Sequence, residues 1–200
     1  MKKTMNALKV LTVVAAVIVL AGCNPVEKTT ESASMLIIES VLGYTADGTA
    51  AAFLESDVEE IDPVTLAPFV QTDTATITLR AELLNPDSIL GPSQYNDIML
   101  TGYNVTYTGT GAVPVDLTGS LSSILCQIGK STTISLPIVL NSAKLVSPLS
   151  DLAGTANVLS AVAQIELIGQ DLVNKEVRVI GNLTIFFADY LDGVPAPEQK

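Results

Sequence analysis

Two cysteines and twenty-one carboxylates are the groups in this chain that could do chemistry, and histidine is absent. Without imidazole, a Ser-His-Asp triad, a Cys-His dyad and any His-ligated zinc or haem site are excluded within the chain. No Ser-x-x-Lys, Gly-x-Ser-x-Gly or phosphate-cradling glycine loop occurs. What is left is carboxylate chemistry, either two acids across a scissile glycosidic bond or several around a hard cation. Glu55, Asp57, Glu59, Glu60 and Asp62 form one acidic run. It lacks the glycine and the alternating Asp/Asn of an EF-hand loop, so it reads as a solvated charged loop. Asp171, Asn174 and Glu176 form a second cluster. They are calcium candidates, since loop carboxylates at a sandwich end can hold that ion, but Asp and Asn also make turns without any metal. No pair of acids is marked out, so the chain reads as a non-enzyme with no cofactor and no metal. Cys126 lies in the apolar stretch 121–128 and reads as a buried thiol, a small hydrophobe.

The other cysteine has a distinctive setting. Met1-Lys2-Lys3 and Lys9 make a basic head, and Val10 to Leu20 is apolar except for Thr12. That run falls short of the ~20 residues that a membrane span needs, and it has the flanks of a secretory signal. Leu20-Ala21-Gly22-Cys23 follows directly. Order, spacing and position resemble the lipobox of bacterial lipoproteins. The resemblance implies that residues 1–22 are a cleaved signal peptide and that the Cys23 thiol carries a diacylglyceryl group. It further implies that the new α-amine is acylated, palmitate being the usual chain. Each buried methylene contributes about 0.8 kcal/mol and a single chain holds marginally, so two or three chains on one residue make a stable anchor. Asn24 stands where an aspartate would favour inner-membrane retention in enterobacteria, which leans towards the outer membrane.

Removing residues 1–22 takes away Lys2, Lys3 and Lys9 and no acid, leaving seven basic residues against twenty-one acidic ones. Such a surface repels nucleic acid and anionic headgroups. Residues 23–34 carry the lipidated cysteine and a polar, aperiodic tether. Its eleven residues after Cys23 reach roughly 35 Å when extended. Residues 35–192 suit one domain with a real core. Tryptophan is absent and aromatics are few, so that core is aliphatic. Residues 193–200 read as a disordered tail, with fraying from Asp189 onward.

From Met35 the pattern is that of strands. Met35–Leu42 reads as the first, with Ala50–Leu54 its partner across an Asp47-Gly48 turn. Thr74–Leu83 alternates most clearly, apolar at Ala75, Ile77, Leu79, Ala81 and Leu83. Ile98–Thr108, Thr118–Ile128 and Thr132–Leu140 follow, the last placed at an edge or bulge because Pro137 lacks a donor. Asn141–Leu152 reads as a short helix or an irregular crossover. Val158–Ile168 and Glu176–Phe187 make the best hairpin, in which Phe186 and Ile180 share one face, expected to be covered. Seven or eight such strands with turns between them predict an all-β fold, an antiparallel β-sandwich of immunoglobulin-like kind. Residues 163–189, with Gly169, Asp171, Asn174, Val177, Gly181 and Phe187-Ala188-Asp189, also resemble the C-terminal hairpin of uncharacterised bacterial β-sandwich lipoproteins.

The expected protein is therefore a lipid-anchored, non-enzymatic binding, adhesion or assembly module of the bacterial cell envelope. Its partners would be the bilayer, through Cys23, and an envelope or surface protein, but not nucleic acid. A calcium-dependent adhesion domain and a carboxylate-based envelope hydrolase are the alternatives.

Overall fold

Side chains that alternate in and out of a core dictate nearly every element. The computed structural model of the chain describes residues 31–87 and 92–190. In β6 (Asp73–Leu83), Ala75, Ile77, Leu79 and Ala81 are fully buried while the intervening threonines and Arg80 are only partly covered. Period-two burial of this kind makes a sheet face, not a helix. The same alternation runs through β7 (Ile98–Gly109), β9 (Ser131–Val139), β10 (Leu159–Asp171) and β11 (Glu176–Ala188), and through β1 (Ser34–Tyr44) only up to its register shift between Ile38 and Ser40. Shorter pieces are β2 (Ala50–Ala51), β3 (Phe53–Asp57), β4 (Glu60–Ile61) and β5 (Pro68–Phe69). β8 (Leu117–Cys126) is long but mostly exposed.

The strands form an all-β sandwich. One sheet has the order β2-β1-β6-β9 and the other β3-β11-β10-β7-β8, while β4 and β5 make a separate small hairpin. This distribution of first, middle and last strands between two sheets is that of the immunoglobulin-like sandwich. Eight strands have five residues or more, in line with the expected number. The expected sheet was wholly antiparallel, and one pair departs from that: β3 lies parallel to β11. The reason is local. The stretch expected to be a single partner of β1 breaks at Ala52, so that β2 stays with β1 and β3 crosses to the other sheet. The crossing brings backbones close at Gly43, where a Cβ would lie 2.5 Å from the Phe53 carbonyl oxygen.

Pro137 does sit in an edge strand, beside a register shift that opposes Asp73 and Thr74 to Val139 and Pro137. Both devices tolerate its missing donor. The β10–β11 hairpin pairs in continuous register from Leu159↔Phe187 to Gln170↔Glu176. Residues 141–152 contain a one-turn helix α1 (Asn141–Lys144) and a 3-10 turn (Ser150–Leu152). Phe187 is buried in the core, as are Tyr103 and Tyr107 among the aliphatic residues. Phe186, on the outer side, is half-buried by an edge-to-face contact with Phe53 at 5.9 Å, whereas Ile180 stays 53% exposed, so that face is covered at one place only.

The register defines two ends. At the near end lie the start of β1, the end of β6, the start of β7 and the tip of the β10–β11 hairpin. At the far end lie the turn after β1, the start of β6, the end of β9 and the last residues of β11. Thirteen-residue strands at about 3.3 Å per residue separate them by about 40 Å.

Candidate functional site

Cys23, with residues 1–22 and the first part of the tether, lies outside the described residues. The last part of the tether does not behave as a leash. Ser32 and Ser34 are 7% and 3% exposed. Ser32 Oγ donates to Asp171 Oδ2 at 2.7 Å and accepts from the Ser34 amide. Ser34 Oγ donates to the Asn96 carbonyl at 2.7 Å, and Leu84 N–H donates to the Ala33 carbonyl. Small hydroxyl residues read as polar filler are here buried because each finds a partner. At the other terminus, Asp189 and Tyr190 are likewise bonded, to the Gly154 amide and to the Asp57 side chain. Residues 193–200 lie outside the described residues.

Asp171, one of the calcium candidates, is 2% exposed, and its role is structural. Its Oδ1 accepts from the Val173 and Lys175 amides and its Oδ2 from Ser32. Asn174 takes the left-handed turn position at φ 63°, which asparagine tolerates. Glu176 pairs with Arg178, which also meets Glu166. Turn-making thus accounts for Asp171 and Asn174 and an ion pair for Glu176, and among the described residues no group of three acidic or thiol ligands converges on one point.

The acidic run 55–62 is spread over β3, β4 and the turn after them. Glu55 accepts from the Ala46 amide, Glu60 from Gln71, and Asp62 from the Val64 and Thr65 amides. Those two amides hold the Asp62 carboxyl below its ordinary value. Asp47 is held down in the same way by the Thr45 hydroxyl and the Thr49 amide. Asp47, Glu55 and Glu60, with Tyr44, Asp57 and Asp73, line an open far-end cleft of about 560 Å³, and Asp62 does not.

Sequence reasoning missed the group beneath that cleft. Lys144 is fully buried. Its Nζ donates to Asp73 Oδ1 at 3.0 Å and to the Asp57 carbonyl at 2.6 Å, and lies 2.9 Å from Asp73 Oδ2 as an ion pair. Ser56 Oγ donates to Asp73 Oδ2 at 2.5 Å. Burial pushes the Asp73 carboxyl up, and Lys144 and Ser56 draw it back part of the way. Nearby, burial first and then Glu55 and Asp57 push the Tyr190 phenol up to about 12. Tyr107 donates to the Ile138 carbonyl inside the core and is also raised by burial. No local pattern announces Lys144: it is one lysine in an irregular crossover, and its partner is seventy-one residues away.

Cys126 is buried, and burial raises its thiol. A thiol in that setting packs as a hydrophobe and does not act as a nucleophile. The far-end cleft is therefore an anionic surface whose acids are occupied by amide, hydroxyl and ammonium donors. It suits a cationic contact better than acid–base work. Comparison of the chain with protein-family models, with curated proteins and with solved structures returns no match.

Proposed function

We propose that this chain is a lipid-anchored, non-enzymatic module of the bacterial cell envelope, presenting a β-sandwich for binding, adhesion or assembly. The observation that carries the reading is the order Leu20-Ala21-Gly22-Cys23 behind a basic head and a short apolar run. Two features support it. The polypeptide reaches the sandwich at the near end, nine residues after Cys23, with Ser32 and Ser34 bonded into the fold. The acids of the far-end cleft form a surface suited to contact with a cationic partner. Aspartate is absent after Cys23, so the outer membrane is the proposed address. The test is intact-mass analysis of protein from its native host, with fractionation of Cys23→Ser. A mature mass starting at residue 23 plus fatty chains, and loss of the variant from the membrane fraction, are expected. An unmodified full-length mass overturns the proposal.

One observation favours a second reading, a carboxylate hydrolase. The far-end cleft is concave and holds several acids, of which Asp73 is raised. Against it, both Asp73 oxygens are paired with Lys144 and one is bonded to Ser56 as well, so the group has no free oxygen aimed at a substrate. Release of reducing ends from envelope glycans by purified protein, lost in Asp73→Asn, would establish the hydrolase instead.

A further inference from the structure

The two ends of the sandwich differ in charge, while both expose large apolar side chains, at the far end Val64, Leu66, Val115, Leu145, Val146 and Val158. Asp47, Glu55, Asp62, Asp116, Asp151 and Asp189 all lie at the far end, where the sole cation among the described residues is Lys144, buried and paired. The other described cations, Arg80, Lys130, Lys175 and Arg178, belong to the near half. The acids at the near end are mostly spent. Asp97 and Asp171 are buried and hydrogen-bonded, and Glu82 and Glu176 pair with arginines, while Glu31 and Asp87 remain exposed.

The near end also carries large apolar side chains in water. Leu172 and Val173 form the tip of the β10–β11 hairpin, 39% and 54% exposed. Leu84 at 56%, Tyr95 at 59% and Leu125 at 43% lie on other segments of the same end, as does Lys130 in the turn between β8 and β9. An apolar tip on an end that also carries an exposed tyrosine and the described unburied cations matches the chemistry of a bilayer interface, where aromatic and cationic side chains meet headgroups and aliphatic ones enter the acyl boundary. The chain length agrees. Nine residues join Cys23 to Ser32, which is pinned at this end and not the other, so the chain can hold this end no farther than about 30 Å from the anchored cysteine.

We infer that the near end, led by Leu172 and Val173, rests on the lipid surface that holds the Cys23 acyl chains. The acidic far end is turned towards water. The inference rests on the anchored reading above. It goes beyond it in replacing a free-swinging domain by one with a fixed face to the membrane. Repulsion of the far end by anionic headgroups and docking of the near end act in the same direction.

The absence of tryptophan gives a clean probe. The full lipidated chain, purified from its host, carries Val173→Trp or, at the far end, Val115→Trp, which replaces a side chain 82% exposed. Each is placed in vesicles of phosphatidylethanolamine with a minor share of phosphatidylglycerol, with or without lipid brominated near the head of the acyl chain. Circular dichroism confirms that both variants are folded. The expected result is a blue shift and bromolipid quenching for Val173→Trp, and neither for Val115→Trp. Protein that floats with the vesicles but leaves Val173→Trp unquenched, or quenches Val115→Trp equally, overturns the docked orientation and leaves the anchor standing. Protein that does not float overturns both. A Leu172→Asp, Val173→Asp double variant that floats as well as the wild type yet becomes more accessible to protease between Cys23 and Ser32 would support the docked face independently.

Discussion

Asp171 at the near end and Asp73 at the far end are both withdrawn from water, yet they are held in opposite ways. Asp171 accepts from two amides of its own turn and from the Ser32 hydroxyl. Asp73 accepts from a buried ammonium and a hydroxyl. The near-end carboxylate organises a hairpin locally and at the same time fastens the segment that leads in from Cys23. The far-end carboxylate ties the 140–158 crossover to β6 and, through the Asp57 carbonyl, to β3. One is a turn with a visitor, and the other is a long-range clamp. Clamps made of opposite charges are unforgiving when one partner is lost, because the survivor stays in a poor environment for charge.

Breaking the clamp has the largest expected effect. Lys144→Met leaves Asp73 without its cation and costs about 3–5 kcal/mol. For a domain of this size that lowers the melting midpoint by about 10 °C, readable by calorimetry or circular dichroism. Asp171→Ala removes bonds to a charged acceptor and costs less, about 2 kcal/mol. It also has a signature the first variant lacks. Asp171 lies in register with Ile98, and Ile98 with Cys126, so loosening this end exposes the thiol. Faster labelling of Cys126 by a thiol reagent is expected in Asp171→Ala and not in Lys144→Met; equal rates would erase the distinction between the two ends.

A subtler measurement concerns pH. Burial raises the folded-state Asp73 carboxyl above the ordinary aspartate value. A raised acid binds its proton more tightly in the folded chain, so its contribution is complete below the unfolded value and is lost as pH rises through the folded one. The melting advantage of the wild type over Asp73→Asn is therefore largest in acid and shrinks as pH increases. The opposite trend would mean that Lys144 outweighs burial. The smallest effect expected is none: melts with calcium and with chelator coincide, since the Asp171 oxygens are occupied by turn amides and Ser32. A calcium-dependent rise would revive the Asp171, Asn174 and Glu176 site.

What was legible in the sequence followed from periodicity. β6, β7, β10 and β11 lie within a few residues of their expected bounds because strict alternation over ten or more residues admits one burial solution. Pro137 marked an edge because its chemistry allows few other places. Two features escaped. The break at Ala52 that sends β3 across to β11 depends on the fit of distant backbones at Gly43, and no local pattern encodes that. Lys144 escaped because a lysine is ordinarily solvated, and only the assembled crossover, β3 and β6 together supply its partners. Ser32 and Ser34, at the end of the expected tether, are bonded into the fold, and serines carry no sign of being buried until Asp171 and Asn96 are placed beside them.

The parallel lodging of β3 against β11 sets a timetable for the chain. Phe53 to Asp57 must wait for Thr184 to Ala188, in the last of the described strands to be synthesised. Until then the second sheet lacks a border and the early segment has no seat. Such a contact closes a loop of about 130 residues, so folding is expected to finish late and slowly. A polypeptide cut short before β11 would leave its opening third searching for a neighbour that never arrives.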